Sequence, residues 1–207
     1  KNNEETFKTN YNNTQIGQNN AENIENKLPE SSPEIVGLFE EYYDEAEELL
    51  STMSLEEKIG QMFLVRYPEK GVINEIKEYA PGGYILFGRD FKNKTKQSIL
   101  EEINDWQNAS KIKMIFGVDD EGGTVVRVSA YKAFRNSKFK SPQDLWKDGG
   151  LSAILQDSNE KSSLLKSIGL NMNLTPVADV PTKESSFMYK RSFGRGANET
   201  AEYVSEL

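Results

Sequence analysis

Apolar positions along this chain recur with two different periods, and the two alternate. From Pro33 the stretch "PEIVGLFEEYYDEAEELLSTM" sets Ile35, Leu38, Phe39, Tyr42, Tyr43, Ala46, Leu49 and Leu50 near helical spacing. Ser54 then opens "SLEEKIGQMF", and the Ser54 and Glu57 pair fits a capping box in which hydroxyl and carboxylate serve each other's orphan N–H groups. A short helix is expected there. Compact apolar runs follow, each of strand length: "MFLVRY" (62–67), "YILF" (84–87), "KMIFGV" (113–118) and "LNMNLTPVADV" (170–180). Between them lie helical patterns: "GVINEIKEYA" (71–80), stopped by Pro81, Gly82 and Gly83, then "TKQSILEEINDWQNAS" (95–110) with Ile99, Ile103 and Trp106 on one side, and "LSAILQDSNEKSSLLKSIG" (151–169) ending at Gly169. A last helix begins at "NETAEYVSEL" (198–207). Strand and helix alternate throughout, which predicts an α/β fold with a parallel sheet flanked by helices. The aromatic residues Tyr84, Phe87, Trp106 and Phe116 are expected in its core.

Residues 1–31 break the pattern. They are rich in Asn, Glu and Thr, poor in branched apolar residues and without a period. They read as a flexible tail of the kind that tethers secreted bacterial domains, or as a cloning remnant. Residues 32–207 then form the domain. The first residue is Lys, so removal of an upstream segment is expected, a signal peptide or lipoprotein leader being one candidate. That gives an extracellular or cell-surface location as the expectation, with the cytoplasm still open.

Composition narrows the chemistry. The chain of 207 residues carries 25 Lys plus Arg against 33 Asp plus Glu, a formal net charge of -8. Nucleic acid is not an expected partner, because phosphate recognition needs a basic face. There is no Cys and no His, which excludes disulfides, thiolate chemistry, His-ligated zinc and a Ser-His-Asp triad within these residues. No apolar run approaches the roughly 20 residues of a membrane span.

The predicted strands share one feature. Polar residues gather at their C-terminal ends: Arg66 after the first, Arg89 and Asp90 after the second, Asp119, Asp120 and Glu121 after the third, Asp179 after the fourth. In parallel α/β folds that edge binds ligands. Carboxylates and arginines converging there suit a polar, neutral or cationic ligand, and a sugar fits because such groups bond hydroxyls in pairs. The stretch "GVDDEGGTVVRV" (117–128) is the densest such corner. Two other readings of it stand: an exposed glycine-assisted turn, and an oxygen-ligated Mg²⁺ or Ca²⁺ site at Asp119, Asp120 and Glu121. Arg127 and Arg191 are equally candidates for structural ion pairs with these acids.

"LSTMSLEEKIGQMFLV", "PGGYILFGRD", "FGVDDEGGTVVRV", "IGLNMNLTPVADV" and "KRSFGRGANETAEYV" together resemble glycoside hydrolase family 3, in particular its bacterial β-N-acetylhexosaminidase branch. The likeness covers roughly residues 49–205. It implies the N-terminal portion, about four βα units, of a TIM-like (β/α)8 barrel. It also implies a retaining glycosidase that releases N-acetylglucosamine from cell-wall or chitin-type saccharides. Glucosides or xylosides are the alternative substrates, and a non-catalytic sugar-binding fragment the alternative function; a metal-dependent barrel enzyme is a third class. Carried onto this chain, the resemblance makes Asp119 the residue that grips sugar hydroxyls, with Arg127 and Arg191 forming the pocket and Asp179 supporting it. No cofactor is implied. The family has Gln where this chain has Asp120.

The family's Lys-His segment, acid/base loop and nucleophilic Asp follow the positions matching Leu207, so no catalytic residue is expected here. A retaining glycosidase needs two carboxyl groups roughly 5–5.5 Å apart on opposite faces of the scissile bond, which adjacent acids on one strand end do not provide. Four strands of an eight-stranded barrel do not close, so self-association or pairing with a C-terminal half is expected.

Overall fold

The computed structural model describes residues 39–207. Among the described residues, those up to Asp44 fall in one unit and Glu45–Leu207 in another. The described part of the first unit is a 3-10 turn at Glu40–Tyr42 and the opening of helix α1 (Tyr43–Ser51). The start of the predicted first helix, residues 33–38, lies outside the described residues, as does the tail.

The second unit alternates as the pattern requires. Helix α2 (Leu55–Gln61) leads to strand β1 (Leu64–Arg66), then α3 (Val72–Tyr79), β2 (Gly83–Leu86), α4 (Lys96–Ala109), β3 (Ile115–Val118), α5 (Pro142–Ser167), β4 (Met172–Asn173) and α6 (Ala197–Ser205). The capping box at α2 is formed: the Glu57 amide donates to Ser54 Oγ at 3.2 Å, and the Ser54 amide donates to Glu57 Oε2 at 3.0 Å.

All pairings are parallel, and the strands lie in the order β1-β2-β3-β4. Sequential order means that each crossover returns to the next position on the same side. A doubly wound sheet would instead reverse at a switch point. This is the winding of a barrel, and the four βα units form the first portion of one.

Register divides the side chains into alternate rows. Val65, Tyr84 and Phe116 share one row, and Arg66, Ile85, Gly117 and Met172 share the next. Tyr84, Leu86, Phe116 and Val118 are buried against the helices. There they meet Ile76 of α3, Ile99, Ile103 and Trp106 of α4, and Leu164, Leu165 and Ile168 at the end of α5. Trp106 lies 4.9 Å from Tyr67 and 5.8 Å from Phe116 between ring centroids. A smaller cluster joins Ile154 of α5 to Phe193 and to Tyr203 of α6, with Phe193 and Tyr203 stacked at 4.5 Å. The opposite face of the sheet is open: Leu64, Ile115 and Leu174 remain exposed. Among the described residues, β1 and β4 each pair on one side only, and no helix is long and apolar enough to cross a membrane.

Two boundaries differ from the sequence expectation. Helix α5 starts at Pro142, with the Ser141 hydroxyl accepting from the Asp144 amide, and bends at Gly149 and Gly150 before the segment expected from 151. Strand β4 is only two residues long, because Pro176 has no N–H for a ladder. Phe116 is fully buried and packs against the rings of both Tyr84 and Trp106. Phe116→Ala is therefore expected to cost about 3–5 kcal/mol, read by urea denaturation; a loss under about 1 kcal/mol would mean that the β3–α4 core is not packed as described.

Candidate sugar-binding site

The site begins where β3 ends. The three acids that follow Val118 point to three different partners. Asp119 takes a two-pronged bond from Arg127, with Nε donating to Oδ1 at 2.7 Å and Nη2 to Oδ2 at 2.5 Å. Glu121 takes the same kind of fork from Arg191, with Nε donating to Oε2 at 2.9 Å and Nη2 to Oε1. Paired, charge-assisted bonds of this geometry fix both partners in one plane. Each fork raises the pKa of its arginine, chiefly through the bond to its own carboxylate. Asp119 also acts on Arg191, and Glu121 on Arg127, so the two forks share one electrostatic neighbourhood.

Asp120 turns the other way, into the protein, and is 0% exposed. Its carboxylate accepts from the amides of Arg127 at 3.0 Å and Ser129 at 3.2 Å, and from the Ser129 hydroxyl at 3.4 Å. Burial pushes its pKa up, and the donating amides of Arg127 and Ser129 oppose that shift. By holding those amides, Asp120 folds the chain back so that Arg127 returns over Asp119. Its own amide donates to Asn173 Oδ1 at 3.0 Å, and Asn173 Nδ2 returns a bond to its carbonyl at 3.4 Å. Asn171 does the same one register earlier, accepting from the Phe116 amide at 2.7 Å and donating to the Met114 carbonyl at 3.1 Å.

The glycines that follow are required by space and conformation. Gly122 has φ 97°, and a Cβ there would sit 2.1 Å from the Lys140 carbonyl oxygen. Gly123 has φ 61° and donates its amide to the Phe139 carbonyl at 2.9 Å. The loop from Gly122 to Ser141 thus closes tightly on itself beneath the two forks.

Exposure separates contact from support. The side chains of Asp119, Arg127 and Arg191 are 19%, 29% and 22% exposed, whereas that of Glu121 is 4%. The first three face outward, while Glu121 and Asp120 hold them from below. Both arginines are neutralised by their own carboxylates, which disfavours an anionic ligand. A hydroxyl can bridge a fork by donating to the carboxylate and accepting from the guanidinium, so the geometry fits a neutral polyol.

The structure brings Asp119, Arg127 and Arg191 together, and each arginine forms the ion pair that the sequence left open as its structural alternative. Asp179 does not end a strand: β4 stops before it, and Asp179 lies exposed in the following segment, where its charge acts on Arg191. Asn173 does the supporting work from that strand. Phe87 is also corrected. It is only half-buried, with the guanidinium carbons of Arg66 and Arg127 at 4.9 and 5.7 Å from its ring centroid, so it belongs to the site rather than to the core. Asp90 is buried, accepting from the Phe87 amide at 2.7 Å and pairing with Arg66 at 3.2 Å. The Mg²⁺ or Ca²⁺ reading of the three acids finds no support, since they diverge to separate partners; among the described residues no group of three or more acids is gathered for a metal.

Residues 54–207 match the model of the glycosyl hydrolase family 3 N-terminal domain, and the chain belongs to that family. Three solved structures share the fold. A glycoside hydrolase family 3 β-N-acetylglucosaminidase from Paenibacillus sp. str. FPU-7 is 21% identical, with a TM-score of 0.67 over 75% of this chain and 30% of its own. LpqI of M. tuberculosis is 17% identical, with a TM-score of 0.63 over 76% of this chain and 45% of its own. Native NagZ from Neisseria gonorrhoeae is 26% identical, with a TM-score of 0.56 over 68% of this chain and 41% of its own. The chain therefore spans less than half the length of each. No curated protein matches it.

The pKa direction at Asp120 gives a test. Its folded pKa is raised, so the native state keeps this proton where the unfolded chain has lost it. The stability from this group is full below the ordinary carboxylate range and falls as pH rises through the raised value. Asp120→Asn removes the titration and keeps one acceptor. The wild type should gain on this variant between about pH 7 and about pH 4 in urea melts. A gap that does not change with pH would mean that the Asp120 carboxyl is not desolvated.

Proposed function

We propose that this chain is the sugar-gripping N-terminal part of a retaining glycosidase that releases N-acetylglucosamine from β-linked cell-wall or chitin-type saccharides. The observation that carries the reading is the pair of arginine–carboxylate forks, side by side at the C-terminal edge of a parallel sheet. Family membership and the β-N-acetylglucosaminidase from Paenibacillus among the fold neighbours support the same substrate class. In this reading Asp119, Arg127 and Arg191 contact sugar hydroxyls, and Asp179 contributes charge at the rim. We assign the protein to the cell surface or exterior on the composition of its tail.

The chain by itself is proposed to bind without hydrolysing. An acid/base carboxyl must exchange protons during turnover. The Asp119 and Glu121 carboxylates are each held by an arginine, and Asp120 by backbone amides. The nucleophile and acid/base are therefore assigned to a downstream part of the polypeptide. The exposed face of Leu64, Ile115 and Leu174 is then covered by that part or by a second copy.

Asp119→Ala in the full-length gene product should cost about 2–4 kcal/mol of transition-state binding, measured as kcat/KM on an aryl β-N-acetylglucosaminide. Near-normal kcat/KM would remove Asp119 from the site. The 207-residue chain alone should give no turnover of that substrate and should scatter light as a dimer or larger species. Turnover abolished by changing Asp120 or Glu121 would relocate the chemistry to this corner, and a dye-silent monomer with a cooperative melt would count against the open half-barrel.

A further inference from the structure

Beneath the two forks lies a cation that the reading so far leaves without a role. Lys161, on the inner side of α5, has a side chain only 9% exposed. Its ammonium donates to the Glu121 carbonyl at 3.2 Å, pairs with Asp157 one turn earlier at 3.3 Å, and lies 5.0 Å from the Phe139 ring centroid. Lysine is rarely buried unless paired, because removing its charge from water is costly. Phe139 is itself part of the loop: its carbonyl accepts from Gly123 and its amide donates to the Ser129 hydroxyl at 3.3 Å. Arg135 also lies over that ring, 4.2 Å from the centroid and paired with Glu160. The ammonium therefore touches the backbone of one fork-forming acid and the ring that closes the loop.

We propose that Lys161 is a positioning residue for the sugar site: it clamps the Glu121 carbonyl and is itself held in place by Asp157. With the carbonyl of Glu121 fixed from below, the side chain of Glu121 has one direction in which to leave the backbone, and Arg191 is held where that direction ends. The fork of Arg127 depends on Asp120 and its amides instead, so the two forks are positioned by separate devices. The claim that this placement serves a saccharide rests on the function proposed above; the clamp itself does not.

The test uses the 207-residue chain and its arginine side-chain Nε–H resonances, with no sugar present. In the wild type, Arg127 and Arg191 should both give protected Nε–H signals, and Lys161 should give a protected ammonium signal. In Lys161→Met, exchange at Arg191 should speed up by about tenfold or more while Arg127 stays near wild type. Equal acceleration at both arginines would reduce Lys161 to general stability, and an unchanged Arg191 in a folded variant would overturn the clamp. If Lys161→Met does not fold, the same comparison is made in Lys161→Met with Asp157→Asn, which removes the stranded charge but leaves the Glu121 carbonyl unclamped. An unprotected Lys161 ammonium in the wild type overturns the proposal without any variant. In the full-length gene product, Lys161→Met should raise KM more than it lowers kcat. Protected arginines with no sugar binding would sink the proposed function and leave the clamp standing.

Discussion

The site depends on one carboxylate that is cut off from water. Asp120 is fully buried, and the bonds that satisfy it come from the amides of Arg127 and Ser129 and from the Ser129 hydroxyl. A buried ionised carboxyl without partners costs several kcal/mol, and each charge-assisted bond returns about 1.5–3 kcal/mol. The loop is thereby committed to one course. Its chain must double back within a few residues of Asp120, and that return delivers the Arg127 side chain to Asp119. The glycine corner, the Phe139 carbonyl that receives Gly123, and the asparagine that braces the Asp120 backbone all serve the same closure.

The barrel winding then explains why the second fork is possible. Parallel strands in sequential order put every strand end on one edge. Arg191 is far from Glu121 in sequence, yet the segment after β4 returns to the edge next to β3. Phe193 anchors that segment against Ile154 and Tyr203, two residues beyond Arg191. Burial of Phe193 therefore fixes the reach of Arg191, and packing energy from the small cluster is converted into the position of a polar group.

Much of this was legible in the sequence, and the reasons differ by element. The capping box at Ser54 and the stripe of Ile99, Ile103 and Trp106 are local, and local periodicity reports them. The acid–glycine corner and its two arginines were legible as a motif. Asn171 and Asn173 were not, because their meaning lies in register with β3, and a strand pattern says nothing about which neighbour it meets. Lys161 was hidden for a related reason: a lysine in a helix counts as surface unless the layer beneath it is known. The opening of α5 did leave a signal, since Ser141 before Pro142 is a helix start. Asp179 closes the apolar run in the sequence but not the strand, because β4 stops at Asn173, six positions before it, and Pro176 has no N–H to extend the ladder.

What the chain does with its acids separates binding from chemistry. A carboxylate forked by arginine is held planar and immobile, which suits it to accepting from a hydroxyl of fixed position. The same hold makes it a poor proton shuttle, since giving up its partner costs a charge-assisted pair. All three acids of the corner are held in one such way or by backbone amides. A retaining mechanism needs one carboxyl free to attack and another free to trade a proton. The two demands conflict at a single strand end, and the function proposed above reconciles them by distributing them around a barrel, with grip on these strands and reactive groups on others.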